Sequence, residues 1–181
     1  MTNAEMIEQT KTMLIGALFS LMREQTYPAI TMVKIAARAG VGRATAYRYF
    51  QSKEDIIREY FARNAAMFND IAALPIQSRD DYYEIIFRVF SALKEQKETV
   101  RLIMQANLEF LYLDFLNRAM VANFQINRYA ETAYTPYYFA GSLFNVSMQW
   151  IRNDCAEPVR RVADVYFALL FGERLSGEEA P

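Results

Sequence analysis

Between Thr31 and Phe50 the chain fits two helical segments and a turn into twenty residues, and no other stretch limits its fold as tightly. Thr31 has the chemistry of an N-cap, because its hydroxyl can accept one of the N–H groups that a first helical turn leaves unpaired. Met32 to Ala39 then reads as a short helix. Gly40 suits the left-handed conformation that ends such a helix, and Val41 supplies an apolar side chain to tuck between two helices crossing at a steep angle. Arg43 to Phe50 reads as the second helix, with Ala44, Ala46 and Tyr47 among two arginines and two tyrosines, so one side is apolar and the other rich in donors. Helix, glycine-bearing turn, helix is the expectation.

The flanking segments are helical by the same logic. Met13, Leu14, Ala17, Leu18, Leu21 and Met22 recur at three- and four-residue spacings, which predicts an amphipathic helix over Ala4 to Gln25 that Pro28 breaks. Ser52 before Lys53, Glu54 and Asp55 looks like the capped start of a fourth helix, whose apolar face runs through Ile56, Ile57, Tyr60, Phe61, Met67, Phe68 and Ile71. After a break at Leu74 to Ser78, Ile85, Ile86, Val89, Phe90 and Leu93 mark the next helix. A short one over Glu98 to Gln105 leads into a longer one carrying Leu108, Leu111, Leu116, Met120 and Phe124. Thr135-Pro136 opens a helix to about Arg152 that is apolar nearly all round, and a last helix opens near Glu157-Pro158 and runs to Gly172, with Ser176 to Pro181 as a frayed tail. No strand pattern occurs. The expected fold is all-α, of about nine helices.

Composition narrows the function classes. A 181-residue chain with 53% hydrophobic content can bury a sizeable core, and polar residues interrupt every apolar run before the ~18 residues a membrane helix needs. Met1 to Gln9 lacks the basic head and apolar middle of an export signal, so a soluble cytoplasmic protein with no membrane partner is expected. The single Cys155 excludes an internal disulfide. With no histidine, Ser-His and Cys-His nucleophile pairs cannot exist, and a zinc site would need carboxylates plus one thiol. The expectation is no enzyme, no metal and no cofactor, with carboxylate or lysine catalysis the remaining enzymatic route. Net charge is −1, yet Arg23, Lys34, Arg38, Arg43, Arg48 and Lys53 stand against Glu24 alone, so the segment from Arg23 to Lys53 carries +5 and the remainder −6. That asymmetry suits a face that meets phosphates; by charge alone, a solvated face is the alternative.

The stretch from Thr31 to Glu54 closely resembles the DNA-binding signature of the TetR family of transcription regulators. The resemblance lies in the capping Thr31, the Ile35-Ala36 and Ala39-Gly40-Val41 pieces, the Tyr47-x-Tyr49-Phe50 end of the second helix, and Ser52-Lys53-Glu54 opening the next; it covers about a quarter of the chain. Many members carry Ser or Thr where this chain has Gly42, a departure that removes a hydroxyl contact to phosphate and opens backbone N–H groups to DNA. The resemblance implies a three-helix helix-turn-helix domain over residues 1–52 and a helical effector-binding and dimerisation domain over 53–181. It implies that Arg43 and Thr45 face the major groove and that Tyr47 and Lys53 hold the phosphate backbone. Chemistry agrees: an arginine near a helix start can pair with guanine through two hydrogen bonds, and the methyl of Ala44 or Thr45 can touch a thymine methyl. Thr31, Lys34, Gly42, Arg48 and Tyr49 complete the DNA-facing set, while Phe50 reads as core.

The same resemblance implies a pocket for a small, largely apolar effector, with Phe61, Phe68, Phe90, Met104, Leu108, Phe139, Leu143 and Trp150 as its candidate walls. Gln105, Asn107, Glu109, Asn123 and Gln149 lie nearby in sequence as polar handles. An ordinary packed core is the competing reading of these aromatics. A homodimer is expected, because a helix apolar on every side needs cover on every side. By spacing, Gly141, Phe144, Asn145, Met148 and Arg152 share one face, assigned with Val162 and Tyr166 to the dimer; Phe139, Leu143, Val146 and Trp150 turn inward. The reading that follows is a repressor released from a palindromic operator by its effector. An activator of the same family, a helical small-molecule binder without DNA, and an enzyme are the alternatives.

Overall fold

The computed structural model describes the backbone of residues 2–72, 78–127 and 132–172, and the side chains of all of these except 65–72 and 123–127. Among the described residues there are nine α-helices and no strand: α1 (Asn3–Glu24), α2 (Met32–Arg38), α3 (Arg43–Tyr49), α4 (Lys53–Ala72), α5 (Arg79–Glu95), α6 (Lys97–Gln105), α7 (Phe110–Asn127), α8 (Thr135–Arg152) and α9 (Val159–Phe171). The expected all-α fold and helix order hold, with ends moved by a few residues; α5 starts well before its apolar run, at a capping box formed by Ser78 and Asp81. The expected frayed tail lies outside the described residues. No described helix is long and apolar enough to cross a membrane.

The chain divides into two compact units. The first comprises Met1–Asn64 with Leu102–Tyr112. Here α1 buries Leu14, Ala17, Leu18, Phe19, Leu21 and Met22. Met13, expected in this stripe, is exposed, because Leu14 and Leu18 rather than Met13 define the buried line. Phe19 takes a place in the core instead, edge-on to Tyr60 of α4 with ring centroids 4.9 Å apart. Ile56, Ile57 and Phe61 are buried along α4, and the Phe61 ring lies 5.3 Å from that of Tyr112. Polar groups add a second tie between α1 and α4: Glu59 accepts from Lys11 at 3.0 Å and from Arg63 at 3.2 Å, and Arg63 reaches Glu8 at 2.7 Å and the Thr12 hydroxyl at 2.6 Å.

Two seven-residue helices, α2 and α3, complete this unit, and a glycine sets how one follows the other. Gly40 has φ +68° and its N–H donates to Ala37 O at 3.2 Å, while the Val41 N–H donates to Ala36 O at 3.0 Å. This is a Schellman turn, which satisfies carbonyls that the end of α2 leaves open. At its other end Thr31 accepts from the Lys34 N–H at 3.3 Å, the expected cap. Ile35, Ala36, Ala46 and Phe50 are buried.

The second unit comprises Ala65–Arg101 with Leu113–Pro181. Its centre is Phe90 of α5, fully buried and edge-to-face with both Trp150 of α8 at 5.6 Å and Tyr166 of α9 at 5.7 Å. Polar ends within this cluster are satisfied: Trp150 Nε1 donates to Glu157 O at 3.2 Å, and the Tyr166 hydroxyl pairs with Ser142 Oγ at 3.0 Å. Near the start of α5, Tyr82 packs against Phe139, Phe167 and Phe171, with the Arg79 guanidinium over the last two rings. The turn after α8 places Asp154 and Cys155 at φ +58° and +52°, and Asp154 accepts from Lys97 at 3.1 Å and Arg101 at 2.9 Å.

The two glycines of the first unit behave differently on substitution. A Cβ on Gly40 would meet nothing within 4 Å, so Gly40→Ala tests the left-handed backbone alone and costs about 1–2 kcal/mol in a urea melt. Gly42 is an extended N-cap where a Cβ sits 3.7 Å from Thr45 Oγ1, so Gly42→Ser is tolerated and stabilises by roughly a few tenths of a kcal/mol. The tie between α1 and α4 depends on pH. Burial raises the pKa of Glu59, but hydrogen bonds and charge from Lys11 and Arg63 outweigh it, and the net direction is downward. A depressed carboxylate stabilises the fold above its unfolded pKa and loses that contribution as pH falls through the folded value. Urea melts across the acid range will show wild type losing stability below the ordinary carboxylate value of 4.5, and Glu59→Gln, weaker at neutral pH, losing less; parallel losses would refute the role.

Candidate nucleic-acid interface

What α3 shows to solvent follows from what it buries. Ala46 and Phe50 point into the unit, which leaves Arg43, Ala44, Tyr47 and Arg48 exposed and Thr45 and Tyr49 half-buried. Gly42 caps α3 without a side-chain hydrogen bond. The Arg43 guanidinium carbon lies 5.6 Å from the Tyr47 ring centroid, which places a planar cation beside an exposed phenol on one surface. Thr31, Lys34 and Gly42 are exposed as well. The ten residues expected to face DNA are thus all at least partly open to solvent, on α2, α3, their flanking turns and the start of α4.

Two of these cations are held more firmly than their long stems suggest. Lys34 donates from Nζ to Gln25 Oε1 at 2.9 Å and to Ala29 O at 2.8 Å. Lys53 donates to Tyr27 O at 2.8 Å, and its ammonium sits 4.0 Å from the Tyr27 ring centroid. Both lysines thus bond to carbonyls of the short turn Tyr27–Ala29 between α1 and α2. Arg38 is engaged differently: its two terminal nitrogens each lie 2.6 Å from a Glu24 carboxylate oxygen. That pair removes one cation from the basic segment's outward charge. Tyr27, whose hydroxyl donates to Glu54 Oε1 at 2.7 Å, has no counterpart among the expected site residues. It lies 26 positions before Lys53, and the fold of the chain brings the two together.

The expected pocket residues fall into both units. Phe61 and Leu108 are buried and Met104 is half-buried in the first; Phe90, Leu143 and Trp150 are buried and Phe139 half-buried in the second. The Phe68 and Asn123 side chains lie outside the described residues. The structure brings Phe90 and Trp150 into direct ring contact. Asn107, expected as a polar handle, is instead the left-handed stop of α6: φ is +56°, its N–H donates to Met104 O at 2.9 Å and the Leu108 N–H donates to Ile103 O at 3.0 Å. Asparagine tolerates that conformation better than most residues, which is the signal the sequence carries.

Three of the residues expected on a dimer face lie instead in the core. Met148, Val162 and Tyr166 are 1%, 6% and 2% exposed within a single chain, so they have no surface to give a partner. They are packed in the second unit's own core, and Tyr166 lies against Phe90. Gly141 and Phe144 are half-buried, while Asn145 and Arg152 are exposed, as are Tyr137 and Tyr138. Of the residues expected to turn inward, Leu143 and Trp150 are buried and Phe139 and Val146 half-buried.

Comparison with known proteins agrees with this geometry. Residues 14–60 match the family model described as bacterial regulatory proteins, tetR family. A helix-turn-helix-type transcriptional regulator of Mycobacterium tuberculosis is 43% identical over 47 residues, which are 26% of this chain and 22% of that protein. The match therefore spans about a fifth of that curated relative's length. Among solved structures, the transcriptional regulator FadR of Bacillus subtilis, in complex with stearoyl-CoA, superimposes with a TM-score of 0.56 at 21% identity, covering 93% of this chain and 99% of that one. NalD of Pseudomonas aeruginosa, the secondary repressor of a multidrug efflux pump, gives 0.58 at 15% identity, covering 94% and 98%. Residues 14–60 thus match the N-terminal segment of the tetR family of bacterial regulatory proteins, and the chain as a whole shares the all-helical fold of these solved regulators.

Proposed function

We propose that this chain is a cytoplasmic transcriptional repressor that binds a palindromic operator as a homodimer and leaves it when a small, largely apolar effector binds. The observation that carries this reading is the outward surface of α3, where Arg43, Ala44, Tyr47 and Arg48 stand exposed over a buried Ala46 and Phe50. A short helix with a donor-rich outer face is what a major groove admits. Arg43, in the first turn, reads a guanine edge; Ala44 and Thr45 offer methyl contacts; Tyr47, Lys34, Arg48 and Lys53 meet phosphates.

The functional division runs between residues 52 and 53, with the DNA-reading domain before it and the effector-binding and dimerisation domain after it. Helix α4 begins at Lys53 and continues to Ala72, so a shift along it is delivered directly to a phosphate-binding residue. An effector acts to the extent that it prefers the state with the wrong spacing between the two DNA-reading heads. A ligand with a long apolar part suits the aromatic second unit, and the stearoyl-CoA bound by the B. subtilis regulator of the same fold is of that kind. The partner copy is met by the outer side of α8, where Gly141, Phe144, Asn145 and Arg152 line up; of the predicted dimer residues these alone retain surface.

Gel-shift titration against the DNA flanking its own gene will show a salt-sensitive, sequence-preferring complex; its absence would refute the reading. Tyr47→Ala weakens binding to all sequences alike, whereas Arg43→Ala costs roughly 1–3 kcal/mol and relaxes the preference at one base of each half-site. In light scattering at micromolar concentration the protein has twice its 21.0 kDa chain mass; a monomer would contradict the dimer.

A further inference from the structure

Lysine binds phosphate as a point charge with no fixed geometry of its own. Its charge rides on a flexible four-carbon stem, and holding that stem in one place costs conformational freedom. Lys53 escapes this difficulty because its ammonium is held on two sides by one residue. Tyr27 O accepts its N–H at 2.8 Å, and the face of the Tyr27 ring lies 4.0 Å away. A ring face attracts a cation through its quadrupole, and a carbonyl oxygen attracts it through its lone pair. An ammonium has three N–H donors, and the hydrogen bond to Tyr27 uses one of them.

Tyr27 is itself fixed. It begins the short turn Tyr27–Ala29, with Pro28 restraining the next residue, and its carbonyl also accepts from the Ile30 N–H at 3.1 Å. Its hydroxyl donates to Glu54 Oε1 at 2.7 Å. Burial first, and Glu54 second, push the phenol far above its ordinary pKa, so it remains a donor at any physiological pH. The ring is therefore braced against the first turn of α4 at the residue that follows Lys53. Lys34, on the far side of the same turn, is held to Ala29 O and Gln25 in a similar way.

We propose that Tyr27 is a positioning residue for DNA binding, its ring and carbonyl holding the Lys53 ammonium where the start of α4 meets a backbone phosphate. The proposal rests on the DNA-binding reading above and adds to it a residue outside the helix-turn-helix. Tyr27 contacts Lys53 through both its ring and its carbonyl, and in this role its effect on DNA binding passes through that lysine.

Phosphate contacts are indifferent to sequence, so mixed-sequence duplex DNA is the probe, with affinity of the full chain measured by fluorescence anisotropy over a series of salt concentrations. Wild type binds with a steep salt slope, and Lys53→Met flattens it by about one unit for each phosphate left without its lysine. Tyr27→Phe, which keeps ring and carbonyl and loses only the brace to Glu54, binds more tightly than Tyr27→Leu and keeps a slope close to that of wild type. Tyr27→Leu weakens binding and flattens the slope as Lys53→Met does, and the double variant Tyr27→Leu/Lys53→Met is no weaker than Lys53→Met alone. Effects that multiply in the double variant, a wild-type slope for Tyr27→Leu, or equal weakening in Tyr27→Phe and Tyr27→Leu would each overturn the proposal. So would a wild-type slope in Lys53→Met. If wild type itself fails to bind the duplex, the DNA-binding reading falls first.

A readout on wild type covers the case in which Tyr27→Leu does not fold. The Lys53 ammonium lies 4.0 Å from the Tyr27 ring centroid, so the protons of the adjacent ε-methylene are expected to resonate upfield of those of the other lysines. That ring-current shift persists when the duplex is added; its disappearance on DNA binding would show that the lysine leaves Tyr27 and would overturn the proposal.

Discussion

One hydrogen bond, from the Val41 N–H back to Ala36 O across a left-handed Gly40, determines what the first unit can present. Helices of seven residues, the length of α2 and α3, are far below what holds in water by itself. They persist because the turn fixes the direction of the second relative to the first, and that direction lets Ile35 and Ala36 share a core with Ala46 and Phe50. Once Ala46 and Phe50 are committed inward, the helical period leaves no choice about Arg43, Ala44, Tyr47 and Arg48. The outward surface of α3 is thus a consequence of burial, and burial is a consequence of the turn.

The same kind of stop recurs. Asn107 ends α6 and Asp154 ends α8, each with positive φ and each followed by an N–H that donates back into the last turn of its helix. Neither is glycine, and both are short polar residues that accept the left-handed region at small cost. Asp154 adds a charge, which Lys97 and Arg101 of α6 share, while Cys155 beside it is buried. The exposure of these three charged groups makes the pairs modest contributors to stability. Their role is to hold the end of α8 against the start of α6.

Local features are legible in the sequence because their causes are local. Thr31 as cap, Gly40 as stop and Pro136 at a helix start each act through neighbours within a few residues, and each stands where the pattern puts it. Angular position within a bundle is not legible for α8. A helix apolar nearly all round offers no polar side to mark its outside, so spacing turns Met148 toward a partner although its own chain covers it. Tyr166 misleads for a related reason, since a tyrosine reads as a surface residue until a partner such as Ser142 is known to satisfy its hydroxyl. The Lys53 to Tyr27 contact is hidden by its separation in the chain. The helix-turn-helix pattern marks the lysine and gives no hint of the ring that holds it.

Methylation interference on a duplex carrying the proposed operator reads directly whether α3 enters the major groove with Arg43 at a guanine edge. Methyl groups on guanine N7 project into that groove and nowhere else. The expected result is that they block binding in two symmetric patches about one helical turn apart, ~10 base pairs. With Arg43→Ala, one guanine in each patch ceases to interfere. Binding indifferent to N7 methylation, or a pattern unchanged by Arg43→Ala, would contradict it.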